Sequence, residues 1–375
     1  MKIFNLLIVI TLLVGACTSA QIKTTKSGLE FAKFDTIYKG EKIALYSLTN
    51  KSGMELTLCN YGARIISLLA PDKNGDLQDV ILSFDNIADY LKYNVAFGAT
   101  IGRNANRIRQ GRFTLDGVDY QLDINDPDGH SLHGGPQGWM TRVFDVKMIS
   151  QNSIEMSLVE EDGANGFPGR VKASVIYTLT DDNEVDMRFR ATTDKPTIIN
   201  MTNHAFFNLS GDVRNSILDH QLMVNASSFT PKSSDNVTNG EILSVTNTPY
   251  DFRNSVSIRE RFDTTFYDMK ATKGYDVNLV LDKSNRSKPN ITLYSPLSGI
   301  NMDIYTSQPA VLFYSGNIFQ KPFVVKKGLT ASAQCAMCLE TQHFTNSVNF
   351  PEWASPIIRP GEVYDHFCTL KFSVK

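Results

Sequence analysis

Past its first two dozen residues, the chain alternates apolar and polar positions with a period of two, in short runs rich in Val, Ile, Leu, Thr, Phe and Tyr. That period marks half-buried strands, whose successive side chains point to opposite faces. Turn clusters such as Asp72-Lys73-Asn74-Gly75-Asp76 and Asp126-Pro127-Asp128-Gly129 separate the runs. Phe113 to Leu122 places two alternating strands around Asp116-Gly117, the strongest local signal for a β-hairpin. Apolar stripes at helical spacing are scarce, and Asn86 to Tyr93 predicts at best one short helix. The pattern therefore predicts an all-β protein, built as a large antiparallel β-sandwich.

No internal repeat and no Pro-, Gly- or Ser-rich linker divides the chain. Lys283 to Pro289 is polar and turn-like, and fits a loop between strands as well as a boundary. One domain over residues 17–375 is the economical organisation. With 375 residues, 42% of them hydrophobic and 20% charged, the chain can bury a large core and is not disordered. Its 37 basic and 39 acidic side chains leave a formal charge of −2, which gives no field to attract nucleic acid or an anionic membrane surface.

The opening stretch changes the picture of where the protein resides. One early lysine, an apolar run from about Leu6 to Val14 and small residues ending in Cys17 are too short for a comfortable membrane span and read as a secretion signal over residues 1–16. Val14-Gly15-Ala16-Cys17 resembles a bacterial lipobox, which implies cleavage before Cys17 and lipidation of that residue, so that acyl chains alone tether the protein. The alternative is an ordinary signal peptide with an incidental cysteine. Thr18 stands where an aspartate would hold a lipoprotein at the inner membrane, which points to the outer membrane facing the periplasm. The remaining cysteines are Cys59, Cys335, Cys338 and Cys368; their spacing is not a small disulfide scaffold. Cys335 and Cys338 have CxxC spacing, but without a second such pair or a βαβ context they read as strand side chains rather than redox or zinc groups.

Six histidines are present, and their company is informative. Gly102-Arg103-Asn104-Ala105-Asn106-Arg107 precedes the hairpin, and Ser131-Leu132-His133-Gly134-Gly135 follows it. Thr202-Asn203-His204, Gly274-Tyr275-Asp276 and Cys338-Leu339-Glu340-Thr341-Gln342 come later. Each sets polar or charged groups beside apolar or glycine residues, as strand ends do when they present a group into a cleft. Strand alternation from His204 to Leu209 puts His204, Phe206 and Asn208 on one side, and Phe207 and Leu209 on the other. Taken alone, His204 fits a half-buried core histidine. Arg107 fits a surface ion pair, His133 a turn cap and Asp276 a turn residue. Glu340 fits such a reading least, since an unpaired buried carboxylate is costly. His130 and His133 are three apart but sit by a turn with no third ligand in view, so no metal site is predicted. Trp139 and Trp353 fit core or rim packing.

At these five motifs the chain resembles the aldose 1-epimerase family, also called galactose mutarotases. The match runs from Asn60-Tyr61-Gly62-Ala63 to Arg359-Pro360-Gly361-Glu362-Val363-Tyr364, in the family's order and at compatible spacings. The resemblance implies a β-sandwich with a sugar cleft, His204 as general acid and Glu340 as general base. It also implies that Asn106, Arg107, His133 and Asp276 contact the substrate, a free monosaccharide, without a cofactor. An acid that works as imidazolium requires His204 protonated, with Asp276 and Glu340 as the anions that would favour this. The chain departs from the family where Asp276-Val277-Asn278-Leu279 replaces Asp-His-Asn-Phe, where Leu312 replaces a substrate-touching glutamine, and where Thr345-Asn346-Ser347 replaces Pro-Asp-Ala. Two other functions remain open. A non-catalytic carbohydrate-binding lipoprotein on the same fold would not need a paired acid and base, and a sugar-phosphate epimerase would need a basic cluster that does not stand out.

Overall fold

The computed structural model describes residues 22–282, 287–319 and 323–375. The stretch expected to act as a secretion signal, with Cys17, lies outside the described residues, as does part of the Lys283 to Pro289 stretch. Three larger sheets carry the architecture. A nine-stranded sheet runs in the order Asp145–Ser150, Ser153–Glu160, Val171–Leu179, Glu184–Thr193, Tyr364–Val374, Ile300–Thr306, Ile291–Tyr294, Gln221–Val224, Val256–Ser257. A five-stranded sheet runs Leu243–Ser244, Ala226–Thr230, Asp276–Leu281, Ala310–Tyr314, Cys338–Gln342, and a four-stranded sheet spans Leu45–Thr49 to Leu77–Asp79. Their strands pair antiparallel throughout.

Alternation drives the long strands, as their sequence predicts. Val171–Leu179 buries Val171, Ala173, Val175, Tyr177 and Leu179 and leaves the residues between them more exposed. Val185, Met187, Phe189 and Ala191 do the same on the neighbouring strand. Each large apolar side chain so buried contributes about 1.5–3 kcal/mol. Their inner faces meet Val277, Leu279, Val311, Phe313 and Leu339 of the five-stranded sheet, together with Leu56, Leu58 and Leu68 of the four-stranded one, in one core. The five-stranded sheet reads differently along its strands: Cys338–Gln342 is buried at every position. One of its faces packs on that core, and the other forms the wall of the cleft described below.

Local signals hold where turn chemistry is strong. Arg112–Leu115 pairs with Val118–Gln121, and Asp116 (φ 51°) and Gly117 (φ 78°) both take the left-handed conformation that a tight hairpin turn demands. The short helix spans Ile87–Tyr93, capped by Asn86, whose side chain accepts from the Asp89 backbone N–H at 2.9 Å. The turn at Asp72 closes in the same way, its carboxylate accepting from the backbone N–H groups of Asn74 (2.8 Å) and Asp76 (3.0 Å). Among the described residues, no helix is long and apolar enough to cross a membrane.

Candidate active site

The five motifs converge on one cleft of ≈ 590 Å³, lined by Asn106, Arg107, His133, His204, Asp276 and Glu340 together with Phe97, Phe206, Leu312 and Tyr314. Strand register explains the wall. Glu340 pairs with Leu312, which pairs with Asn278; Cys338 pairs with Tyr314, which pairs with Asp276. Residues opposite one another share a face, so Asp276, Leu312, Tyr314, Cys338 and Glu340 all project to the cleft side. Val277 points the other way, into the core, so the departure at this position alters packing rather than the cleft.

The His204 segment corrects one expectation. It is not a continuous strand: Thr202–Asn203 pairs with Thr100–Ile101, Phe206–Phe207 pairs with Ile81–Leu82, and His204 lies between the two. Its backbone is fixed there, its N–H donating to Ala99 O (2.8 Å) and its carbonyl accepting from Gly98 N–H (3.0 Å). The expected division of faces survives for His204 and Phe206, which line the cleft, and for Phe207 and Leu209, which join the core. It fails at Asn208, whose amide donates to Cys335 O (2.7 Å) and Asn215 O (2.9 Å) and so ties a loop.

Around His204 the geometry is tight. Its Nε2 lies 3.4 Å from Oε1 of Glu340 and its Nδ1 3.4 Å from Sγ of Cys338. The ring stacks on Phe206 and meets His133 edge to face, with both centroid distances 5.2 Å. Glu340 is 1% exposed, and neither of its carboxylate oxygens accepts a hydrogen bond from a described residue. Burial pushes its carboxyl well above the usual range, and nearby Asp276 adds to the shift. Burial likewise pushes the His204 imidazole down, to about 4, against a smaller upward pull from Asp276. Burial thus opposes the protonated His204 that an acid role requires, and Asp276 offsets it only in part. Ionising both partners in this buried place costs more than their attraction returns, so the pair shares one proton and favours its neutral arrangement.

The remaining groups are held as donors and acceptors. The Asn106 N–H donates to Nδ1 of His133 at 3.2 Å, which leaves the imidazole hydrogen on Nε2. Burial, with His204 and Arg107 nearby, keeps that ring well below its ordinary pKa and therefore neutral. Arg107 donates from Nε to Asp126 at 3.0 Å, and although burial opposes its charge, Asp276 and Asp126 hold it protonated. Asp276 forms an ion pair with Lys232, whose side chain is only 7% exposed. Burial would raise the Asp276 carboxyl, but Lys232 and Arg107 outweigh it and hold the group below the usual range.

His133, His204 and Glu340 bring three ligand-type atoms within 4.8 Å of one another. The donor set nevertheless fits a metal poorly. A ligating neutral histidine needs its hydrogen on the far nitrogen, yet Nδ1 of His133 already faces an N–H donor.

A family model described as "Aldose 1-epimerase" matches residues 44–371. The chain belongs to the aldose 1-epimerase family. It is 36% identical to a galactose mutarotase from Bos taurus over 321 residues, covering 86% of this chain and 92% of that protein. It is also 33% identical to an aldose 1-epimerase from Escherichia coli K12 over 343 residues, covering 89% and 96%. Among solved structures it resembles an aldose epimerase homologue from C. elegans, with a TM-score of 0.82, 32% identity and coverage of 88% and 99%. A galactose 1-epimerase from Lactobacillus acidophilus gives a TM-score of 0.80, 26% identity and coverage of 90% and 97%.

Within this aldose 1-epimerase family chain, motif residues divide between cleft and scaffold. Arg103 is fully buried, donating to Glu160 (2.7 Å) and to the carbonyls of Pro168 (2.7 Å) and Gly169 (3.0 Å), so it anchors the loop that presents Asn106 and Arg107. Gly134 (φ 86°) brings the His133 turn against that loop, where a Cβ would collide with the Gly102 carbonyl. Asn346, in the departing Thr345-Asn346-Ser347 segment, donates its N–H to the Arg107 carbonyl at 3.1 Å. Trp139 packs in the core, and Trp353 meets Phe344 edge to face and Phe350 at a tilt. All four described cysteines are free and buried. Sequence reasoning missed Lys232, Asp126 and the approach of Cys338 to His204. The pairing of each depends on residues distant in the chain, and Asp126 was readable only as part of a turn.

Proposed function

We propose that the protein interconverts the α and β anomers of free aldoses, with His204 as general acid and Glu340 as general base. The observation that carries this is the 3.4 Å approach of His204 Nε2 to Glu340 Oε1 on the wall of a cleft large enough for a sugar. Anomerisation needs two proton transfers on neighbouring oxygens of one molecule. In the ion-paired form of the couple, with Glu340 ionised and His204 charged, the C1 hydroxyl loses its proton to Glu340 while the ring oxygen takes one from His204. The bond from C1 to the ring oxygen then breaks, the aldehyde end rotates, and the ring recloses from its other face with both transfers reversed. Acid and base each contribute about 10²- to 10⁴-fold when well placed. No proton is consumed, and a pair that shares one proton can run the cycle in both directions.

The rest of the cleft supports this reading. His133, neutral and with its hydrogen on Nε2, offers a donor to a sugar oxygen on which charge builds. Arg107 supplies a charged donor, Asp276 a charged acceptor and Asn106 an amide for the hydroxyls. Leu312 makes the wall beside Glu340 apolar where a polar contact is common in the family. A phosphate group finds little welcome, since Arg107 and Lys232 are already paired with Asp126 and Asp276. Exchange spectroscopy tests the reading against simple sugar binding. Cross-peaks between the α and β anomeric protons should build up faster with enzyme; binding without faster exchange would assign the protein to the carbohydrate-binding class.

We also infer, from the lipobox-like Val14-Gly15-Ala16-Cys17 alone, that Cys17 carries a lipid and tethers the enzyme in the cell envelope. Incorporation of labelled palmitate, lost in Cys17→Ser, is the expected result; an unlabelled secreted protein would contradict it.

A further inference from the structure

Tyr314 lines the cleft, yet the proton transfers above make no use of it. It ends the strand Ala310–Tyr314 and stands directly opposite Asp276. In such a pair the two Cβ atoms lie about 4.5–5.5 Å apart. A latch fixes the two residues as a unit. Ser315 donates its N–H to the Tyr275 carbonyl at 3.1 Å, and the Tyr275 N–H donates to Ser315 Oγ at 2.9 Å. The Asn317 amide donates to the same carbonyl at 2.9 Å. Gly274 lies so close that a Cβ there would stand 2.2 Å from Asn317 Oδ1. The residues that follow Tyr314 are thus tied to the residue that precedes Asp276.

The Tyr314 ring meets Phe206 edge to face at 6.0 Å, and its oxygen accepts from the Ile318 N–H at 2.6 Å. A phenol oxygen that accepts still has a hydrogen to give. No acceptor among the described residues takes it. Burial, with Asp276 nearby, pushes the phenol well above its ordinary pKa, so it stays a donor. Asp276, held ionised by Lys232 and Arg107, can only accept. A sugar hydroxyl has one hydrogen to give and lone pairs to receive, so these two neighbours offer both kinds of partner from one rigid stretch of wall. Leu312, two residues before Tyr314 on the same face, offers neither.

We propose that Tyr314 is a specificity-determining residue of the sugar site, its phenol donating to one hydroxyl of the aldose, other than that at C1, beside the contact to Asp276. The proposal rests on the acid–base reading given above. A donor aimed into a cleft by fixed neighbours rejects a sugar that lacks the matching oxygen, because its hydrogen is then left without a partner away from water. Recognition at this wall therefore turns on which hydroxyl is present.

A panel of deoxy sugars tests this on the full chain. The parent is whichever of glucose and galactose the wild type converts faster, and the four analogues lack its hydroxyl at C2, C3, C4 or C6. Rates above the spontaneous one are read by exchange spectroscopy. Wild type should lose about 10-fold or more in kcat/KM on at least one analogue. Tyr314→Phe should lose about 10-fold on the parent, chiefly through KM, yet match wild type on that one analogue, where the phenol's partner is already gone. A loss in Tyr314→Phe that is equal on the parent and all four analogues, as a merely structural role would give, or no loss at all, would overturn the proposal. Phenylalanine keeps the packing on Phe206; should the variant still fail to fold, equal kcat/KM of wild type on the parent and all four analogues would overturn it. A wild type that hastens no anomerisation would instead count against the acid–base reading. The same panel read as Kd by calorimetry, with the more tightly bound hexose as parent, then judges Tyr314 by the same losses, and a wild type that binds neither hexose would overturn both.

Discussion

Asn106 and His133 hold each other through a reciprocal pair of hydrogen bonds: the Asn106 N–H donates to Nδ1 of His133 at 3.2 Å, and the His133 N–H donates to Asn106 O at 3.2 Å. Both residues take left-handed backbone angles, φ 62° and 51°, so two separate turns lock at this point. The lock leaves Nε2–H of His133 as a fixed donor in the cleft. Replacing the ring with an apolar one, His133→Phe, is expected to lower kcat/KM by about 10²-fold, the cost of losing one aimed donor. Steady-state rates on a hexose that wild type accepts check this.

Glu340 imposes a pH-dependent cost on folding. Its buried carboxyl titrates well above its usual value, so as pH rises past about 4.5 the unfolded chain ionises while the folded chain resists. Stability is therefore lost with rising pH until the folded group ionises too. Glu340→Gln removes that cost and should be inactive, yet melt higher than wild type at neutral and mildly alkaline pH. Equal or lower melting temperatures in the variant across that range would contradict the assignment.

His204 acts at the other end of the pH scale. Its folded value of about 4 lies below the ordinary 6.5, so the unfolded chain takes up a proton first and stability falls as pH drops from 6.5 toward 4. The variant His204→Asn should lose less stability over that window, as read by denaturation midpoints at pH 7 and pH 4.5.

Lys232 keeps Asp276 ionised. Breaking this largely buried pair with Lys232→Met should cost about 3–5 kcal/mol of stability. It should also raise the Asp276 carboxyl, so that sugar KM worsens at a higher pH on acidification than in wild type. An unchanged pH dependence of KM would show that Lys232 does not set the charge of Asp276.

Arg103 and Arg107, four residues apart, should separate in their effects. Arg103→Met strands Glu160 in the interior and is expected to lower stability by about 3–5 kcal/mol. Arg107→Met, beside the sugar, should chiefly raise KM. Chemical denaturation and kinetics on the two variants distinguish these roles.

The architecture was legible wherever one physical signal dominated. Strand alternation announced Val171–Leu179 and Glu184–Thr193, and Asp116-Gly117 announced its hairpin, because burial on one face and a left-handed turn leave direct marks in sequence. The stretch from Thr202 to Leu209 misled because its two halves pair with different strands, and pairing partners are set by the whole fold. The resemblance to known motifs pointed to the six cleft residues and the structure brings them together, but it carried no sign of what sets their charge. Lys232 sits 44 positions before Asp276, and Cys338 reads as an ordinary strand residue until His204 is seen across from it. For a related reason the charges beside His204 could be guessed from the sequence, whereas the burial that opposes its protonation could not.

The most direct test follows the optical rotation of freshly dissolved α-D-glucose, α-D-galactose and an α-pentose with the protein from Thr18 onward, beside Glu340→Gln and His204→Asn. The account predicts that wild type hastens the decay of at least one of these rotations to its equilibrium value and that both variants return it to the spontaneous rate. Wild type that leaves every decay at the spontaneous rate, or a Glu340→Gln protein as fast as wild type, would contradict it.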